Sequence, residues 1–101
     1  MTAILLSACT IYESAVGEYK KILVVTPATA DSNDTIDITA LVNDGKLAGI
    51  PSRWDVTTGD EITATYNTTN GVVTIDAAGG TTDHVYALEF LVLGKDQPRG
   101  F

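Results

Sequence analysis

From Tyr19 to Leu93 the chain is written in short runs whose apolar residues return at every second position, set apart by Gly, Asn, Asp and Pro. Ile36, Ile38, Ala40 and Val42 alternate with Thr35, Asp37 and Thr39, and Ile62, Ala64 and Tyr66 alternate with Thr63 and Thr65. A period of two is the period of a strand, because successive side chains point to opposite faces of a sheet. Runs rich in Val, Ile, Thr and Tyr with short turn-forming connections predict an all-β fold, an antiparallel β-sandwich or small barrel of about 6–8 strands.

The first clear strand is Lys20 to Thr26, stopped by Pro27, which has no N–H to continue a ladder. Its unbroken apolar centre, Ile22-Leu23-Val24-Val25, predicts burial on both faces. Asp34 to Val42 reads as a half-buried strand, Asn43-Asp44-Gly45-Lys46 as a turn, and Leu47 to Thr58 as a loop with one short strand around Arg53 to Val56. Glu61 to Tyr66 and Val72 to Ala77 flank Asn70-Gly71, a strong hairpin signal. Gly79-Gly80-Thr81-Thr82-Asp83 makes a flexible connection, and the last strand runs from His84 to Leu93.

Residues 1–18 fit two readings. Ile4, Ala8, Ile11 and Ala15 share a helical face, whereas Ile4, Leu6, Ala8 and Tyr12 share one side of a strand; the segment is a first strand, a short helix or an N-terminal arm. Residues 94–101 form an unpatterned tail, and residues 1–101 make one β domain.

Composition bounds the partners. With 45% hydrophobic and 19% charged residues, the chain carries enough apolar surface to fold. Its 6 Lys+Arg against 13 Asp+Glu give a net charge of −7, which repels nucleic acid and anionic lipid at long range. No apolar run approaches the roughly 20 residues of a membrane-spanning helix. The single cysteine, Cys9, excludes an internal disulfide. Leu6-Ser7-Ala8-Cys9 has the form of a lipoprotein cleavage site, but its apolar stretch is short and no Lys or Arg precedes it, so Cys9 reads as an ordinary buried cysteine.

Little material for catalysis is present, and the chain reads as a non-enzyme with no cofactor and no metal. His84 is the only histidine, and none of Ser7, Ser14, Ser32 and Ser52 sits in a Gly-x-Ser-x-Gly elbow. The acidic loop Asp31 to Asp37 could offer oxygen ligands, but Ile36 and Val42 stand where a calcium-binding loop needs Gly and Glu, so a turn capped by Asp and Ser is expected. Two Asn-x-Thr triplets, at Asn33 and Asn67, and the Gly79-Gly80 pair carry no further pattern. For partner binding the candidates are Ile4, Leu5, Ile50, Pro51, Arg53 and Trp54; Trp54 either anchors an interface or plugs one end of the core.

In size, composition and strand style, from Lys20-Lys21-Ile22-Leu23-Val24-Val25-Thr26-Pro27 through Asp34-Thr35-Ile36-Asp37-Ile38 to Thr81-Thr82-Asp83-His84-Val85-Tyr86, the chain resembles the small all-β virion proteins of tailed bacteriophages, notably capsid decoration proteins. The resemblance implies a trimer or dimer on the capsid exterior, bound to the major capsid protein or another virion protein. The alternatives are an extracellular immunoglobulin-like recognition or adhesin module and another phage head-tail or tail accessory protein.

Overall fold

The alternation is realised as two sheets that enclose one core. The computed structural model describes residues 2–16, 19–42, 46–77 and 82–93, and nine strands lie among them. They are β1 (Ala3–Ile4), β2 (Thr10–Val16), β3 (Tyr19–Val25), β4 (Thr35–Asp37), β5 (Lys46–Asp55), β6 (Asp60–Glu61), β7 (Thr63–Asn67), β8 (Val72–Asp76) and β9 (Tyr86–Leu93), with a 3-10 turn at Leu6–Ala8 and a one-turn helix α1 at Thr39–Val42. One sheet has the order β1-β4-β8-β7 and the other β2-β3-β9-β5-β6. The all-β sandwich is therefore as expected, with one refinement: β1 pairs parallel to β4, while the remaining pairs are antiparallel.

The core lies between the sheets. Ile22, Val24, Tyr86, Leu88, Phe90 and Val92 enter it from the five-stranded sheet, and Ile4, Ile36, Ile38, Val73 and Ile75 from the other side. The chain changes sheets at buried Ile62, whose N–H donates to the Arg53 carbonyl at 3.1 Å between β6 and β7. A bend of this kind lets one strand close the corner of a sandwich. The expected strand Glu61 to Tyr66 is thus two strands, one in each sheet.

Seven of the strands have three or more residues. In the immunoglobulin order the second strand lies between the first and the fifth, and the sixth between the third and the last. Here the second, β3, lies between β2 and β9, and the sixth, β8, between β4 and β7. The fifth and last strands have exchanged sheets.

Two expectations need correction. The strand placed over Asp34 to Val42 stops at Asp37, whose Oδ1 accepts the Thr39 N–H at 2.9 Å and the Thr39 hydroxyl at 2.6 Å. That cap turns the chain into α1, with Leu41 and Val42 donating to the Ile38 carbonyl. Ile38 and Val42 are both buried; a spacing of four puts them on one side of a strand and of a helical turn alike, so alternation could not separate the two. The loop placed over Leu47 to Thr58 is largely strand, since β5 runs through Pro51. Its ladder with β9 slips between Leu47 and Gly49 and again between Gly49 and Ser52, and Pro51 falls in the second irregularity, where a missing N–H is tolerated.

The hairpin is as expected. β7 and β8 pair from Thr63↔Asp76 to Asn67↔Val72, and Gly71, with φ of 72°, closes the turn. Residues 1–18 combine both readings, with strand, 3-10 turn and strand in succession up to Val16. The expected turn at Asn43 to Gly45, the connection at Gly79 to Thr81 and the tail from Gly94 lie outside the described residues.

Candidate functional site

Strand periodicity gives the five-stranded sheet a second face, turned away from the core. On β9 the residues alternate between buried Tyr86, Leu88, Phe90 and Val92 and half-buried Ala87, Glu89, Leu91 and Leu93. On β3, Ile22 and Val24 are buried, while Lys21, Leu23 and Val25 face outward. This corrects the expectation that the Ile22 to Val25 run is covered on both sides: within one copy only one side is.

Register assembles the outer face row by row. Thr10, Val25, Ala87 and Trp54 form one row across β2, β3, β9 and β5; Tyr12, Leu23, Glu89 and Ser52 form the next; Ser14, Lys21, Leu91 and Gly49 the third. Tyr12 is 59% exposed and Trp54 45%. Near the middle, Lys21 Nζ stands 3.9 Å from Glu89 Oε2, and a shallow depression there is lined by Tyr12, Glu13, Ser14, Lys21, Leu23 and Glu89. The result is a sheet face whose two central strands, β3 and β9, are apolar apart from one ion pair. Such faces on soluble domains mark interaction sites.

The six residues singled out for partner binding fall into two groups on different sheets. Ile4 points into the core, while Leu5, beside it, is 68% exposed at the mouth of an apolar groove lined also by Ala3, Leu6, Thr39, Ala40 and Val72. On β5, Ile50 packs against the core, Pro51 is exposed, and Arg53 faces inward, its Nη1 and Nε donating to the carbonyls of Ile50 and Ile62 at 2.6 and 3.2 Å. Arg53 therefore holds the sheet corner. Trp54, paired with Ala87, is the member of the set that belongs to the outer face, so it does not plug the core. Leu23, Val25, Leu91 and Leu93 were not singled out, although unbroken apolar runs on β3 and β9 carried the signal.

A polar cluster lies at one end of the same sheet. Asp55 is 2% exposed at the end of β5; its Oδ2 accepts a hydrogen bond from His84 Nδ1 at 2.6 Å, and its Oδ1 accepts the N–H groups of Thr57 and Thr58 at 3.0 and 3.2 Å. Burial pushes the Asp55 carboxyl up, but the His84 hydrogen bond, the Thr58 N–H and the His84 charge together hold it below the usual aspartate range. The Thr57 hydroxyl accepts the Val85 N–H at 2.9 Å, and the Val56 N–H donates to the Val85 carbonyl. His84 is thus tied to Asp55, 29 residues away, rather than to its neighbour Asp83. The pair joins the turn after β5 to the entry of β9.

The acidic loop is spent on backbone groups. Asp34 accepts the N–H of Thr2 and of Asp31 through its two oxygens at 2.9 and 2.8 Å, and Asp31 Oδ1 accepts the Asp83 N–H at 2.8 Å. Ser32 Oγ donates to the Ala77 carbonyl and accepts the Ala77 N–H, both at 3.1 Å. This is the capped turn expected from Asp and Ser at these positions, and it pins the loop to the end of β8. Cys9 is partly buried against the core, and burial pushes its thiol up, away from the reactive thiolate.

Comparison of the chain with protein-family models, with curated proteins and with solved structures found no match.

Proposed function

We propose that this chain is a non-enzymatic structural protein that acts as an oligomer through protein–protein contacts, decorating or stabilising the exterior of a tailed-phage capsid. The observation that carries the reading is the apolar outer face of the five-stranded sheet, where Leu23, Val25, Leu91 and Leu93 lie beside exposed Tyr12 and Trp54. A face of this composition is more stable covered than wet, since burying each aliphatic or aromatic side chain fully is worth about 1.5–3 kcal/mol. Tyr and Trp on it are the residue types enriched at interface centres.

The capsid setting draws on the resemblance in size and strand style to decoration proteins and on the net charge of −7, which suits a position away from packaged DNA. The exchange of the fifth and last strands favours this reading over an immunoglobulin-like recognition module. Light scattering on the purified chain is expected to give a stable oligomer, and mass spectrometry of purified particles is expected to detect the chain. Its absence from particles sinks the virion reading. Detection at the tail rather than on the head by immunogold labelling would move it to a tail accessory role.

A further inference from the structure

Resting on that reading, we infer that the occupant of the outer face is a second copy of this chain, related by a two-fold axis that passes between Lys21 and Glu89. Three observations point to it. The chain carries a net charge of −7, so most of its surface repels a copy of itself. The outer face is closer to neutral: the charged residues that register places on it among those described are Lys21, Lys46, Glu61 and Glu89, with Glu61 3.8 Å from Arg53 and Glu13 at the margin of the central depression. Charge is more nearly balanced there than over the chain as a whole.

The arrangement of charge is also self-complementary. An isologous interface presents the same patch twice, so a charged residue near its centre is compensated only if the same patch also carries the opposite charge. Lys21 and Glu89 sit diagonally on the neighbouring strands β3 and β9, where Lys21 pairs with Leu91 and Leu23 with Glu89. A two-fold axis lying in the plane of the interface and crossing the line between them at its midpoint and at right angles places each Lys21 over Glu89 of the partner subunit. Leu23 and Leu91 occupy the other diagonal of that centre, and Val25 and Ala87 lie in the next row. An acidic or basic foreign partner would leave one of the two central charges opposed by its own sign.

Extent agrees with this. The eight residues of β9 taken across four strands give a footprint of about 500 Å² per copy at ordinary strand spacings, and about 1,000 Å² over the pair reaches the lower bound of a specific interface. Sheets packed face to face in this way repeat the geometry of the sandwich itself.

The test uses two oppositely charged variants. Lys21→Glu gives a face acidic at both central positions, and Glu89→Lys a face basic at both. Wild type is expected to sediment as a dimer, and each variant alone as a monomer, with dimer affinity weakened at least about tenfold by like-charge contact. An equimolar mixture is expected to recover the dimer, because each Glu then meets a Lys on the other chain; the ion pair within each chain stays broken, so recovery reports the contact between chains alone. A monomeric wild type, single variants that remain dimers, or a mixture that stays monomeric overturns the inference. Should a variant lose the β signal in circular dichroism, Leu91→Ser takes its place, and a dimer that survives Leu91→Ser equally overturns it. Particle mass spectrometry separates the two readings: a chain found in particles but monomeric in solution removes self-association and leaves the virion reading, and a dimer absent from particles removes the virion reading and leaves the dimer.

Discussion

On the outside of the four-stranded sheet, Thr35, Thr74 and Thr65 form one row across β4, β8 and β7, with Asp37, Val72 and Asn67 in the next. On the outside of the five-stranded sheet the rows are Thr10, Val25, Ala87 and Trp54, then Tyr12, Leu23, Glu89 and Ser52. Both sheets donate Ile and Val to the same core, so the difference that bears on partners lies in what they show to the outside. The first sheet has the composition of a surface meant for water, since Thr retains β propensity while wet. The second has the composition of a sheet covered on both sides. Alternation in β7 and over Val73 to Asp76 of β8, against the apolar runs Ile22 to Val25 in β3 and Phe90 to Leu93 in β9, is the one-dimensional record of that contrast.

The largest effect separates inner from outer positions within a single strand. Phe90→Ala empties a fully buried site and is expected to cost about 3–5 kcal/mol in urea denaturation. Leu91→Ser, one residue on, faces outward and is expected to cost the dilute monomer less than about 1 kcal/mol. Equal losses at the two positions would mean that the chain covers its own outer face, and the contrast between the sheets would fail.

Next in size is the polar tie at the end of the five-stranded sheet. Asp55→Ala leaves His84 and the Thr57 and Thr58 N–H groups without their acceptor, and a loss of about 2–3 kcal/mol is expected. The same carboxylate sets a pH dependence. Because its folded value is depressed, its stabilising contribution is fully present above the ordinary aspartate range of about 4 and is lost as pH falls through the lower folded value. Wild type is expected to lose stability below about pH 4 more steeply than Asp55→Asn does. Parallel acid titrations of the two would contradict the geometry drawn for Asp55.

These residues also show where sequence reading stops. Alternation locates β4, β7 and β8, Pro27 marks the end of β3, and Asn70-Gly71 marks the hairpin, because each is a local rule read over a few neighbours. Asp55 and His84 are 29 positions apart, and nothing in either neighbourhood announces the other. Ile38 and Val42 satisfy both periods, so the choice of α1 over more strand rested on the Asp37 cap. Pro51 argued against strand only because the bulges that accommodate it depend on pairing with a β9 that lies more than thirty residues later. Of the partner-binding candidates, Trp54 came from residue type alone, while Ile4, Ile50 and Arg53 were indistinguishable by type from outward-facing residues. Their orientation depends on which face the core took.

The four-stranded sheet offers its own sharper test, because its register is set by a turn. An added Cβ at Gly71 meets the Thr39 hydroxyl, and the positive φ strains any larger residue there. Gly71→Ala is expected to cost about 1–2 kcal/mol. In a Thr39→Ala background the steric share is removed and the φ share remains, so the penalty is expected to shrink without vanishing in thermal melts. An unchanged penalty would show that backbone strain alone is responsible and that hairpin and α1 are not coupled through this contact.

The smallest effect is the most direct reading of the two outer faces. Thr74→Val adds apolar surface to the wet sheet at a half-buried position, and Leu23→Thr removes it from the apolar one. Measured on dilute protein, the first is expected to change stability by no more than about 0.5 kcal/mol and the second by less than about 1 kcal/mol. Concentration then separates them. Self-association stabilises by mass action, so the wild-type Tm is expected to rise with protein concentration, and Thr74→Val should leave that slope intact while Leu23→Thr flattens it. The slope tells a merely apolar face from a face that is occupied: if Leu23→Thr keeps the wild-type dependence, the surface that β3 and β9 leave uncovered is not where the copies meet.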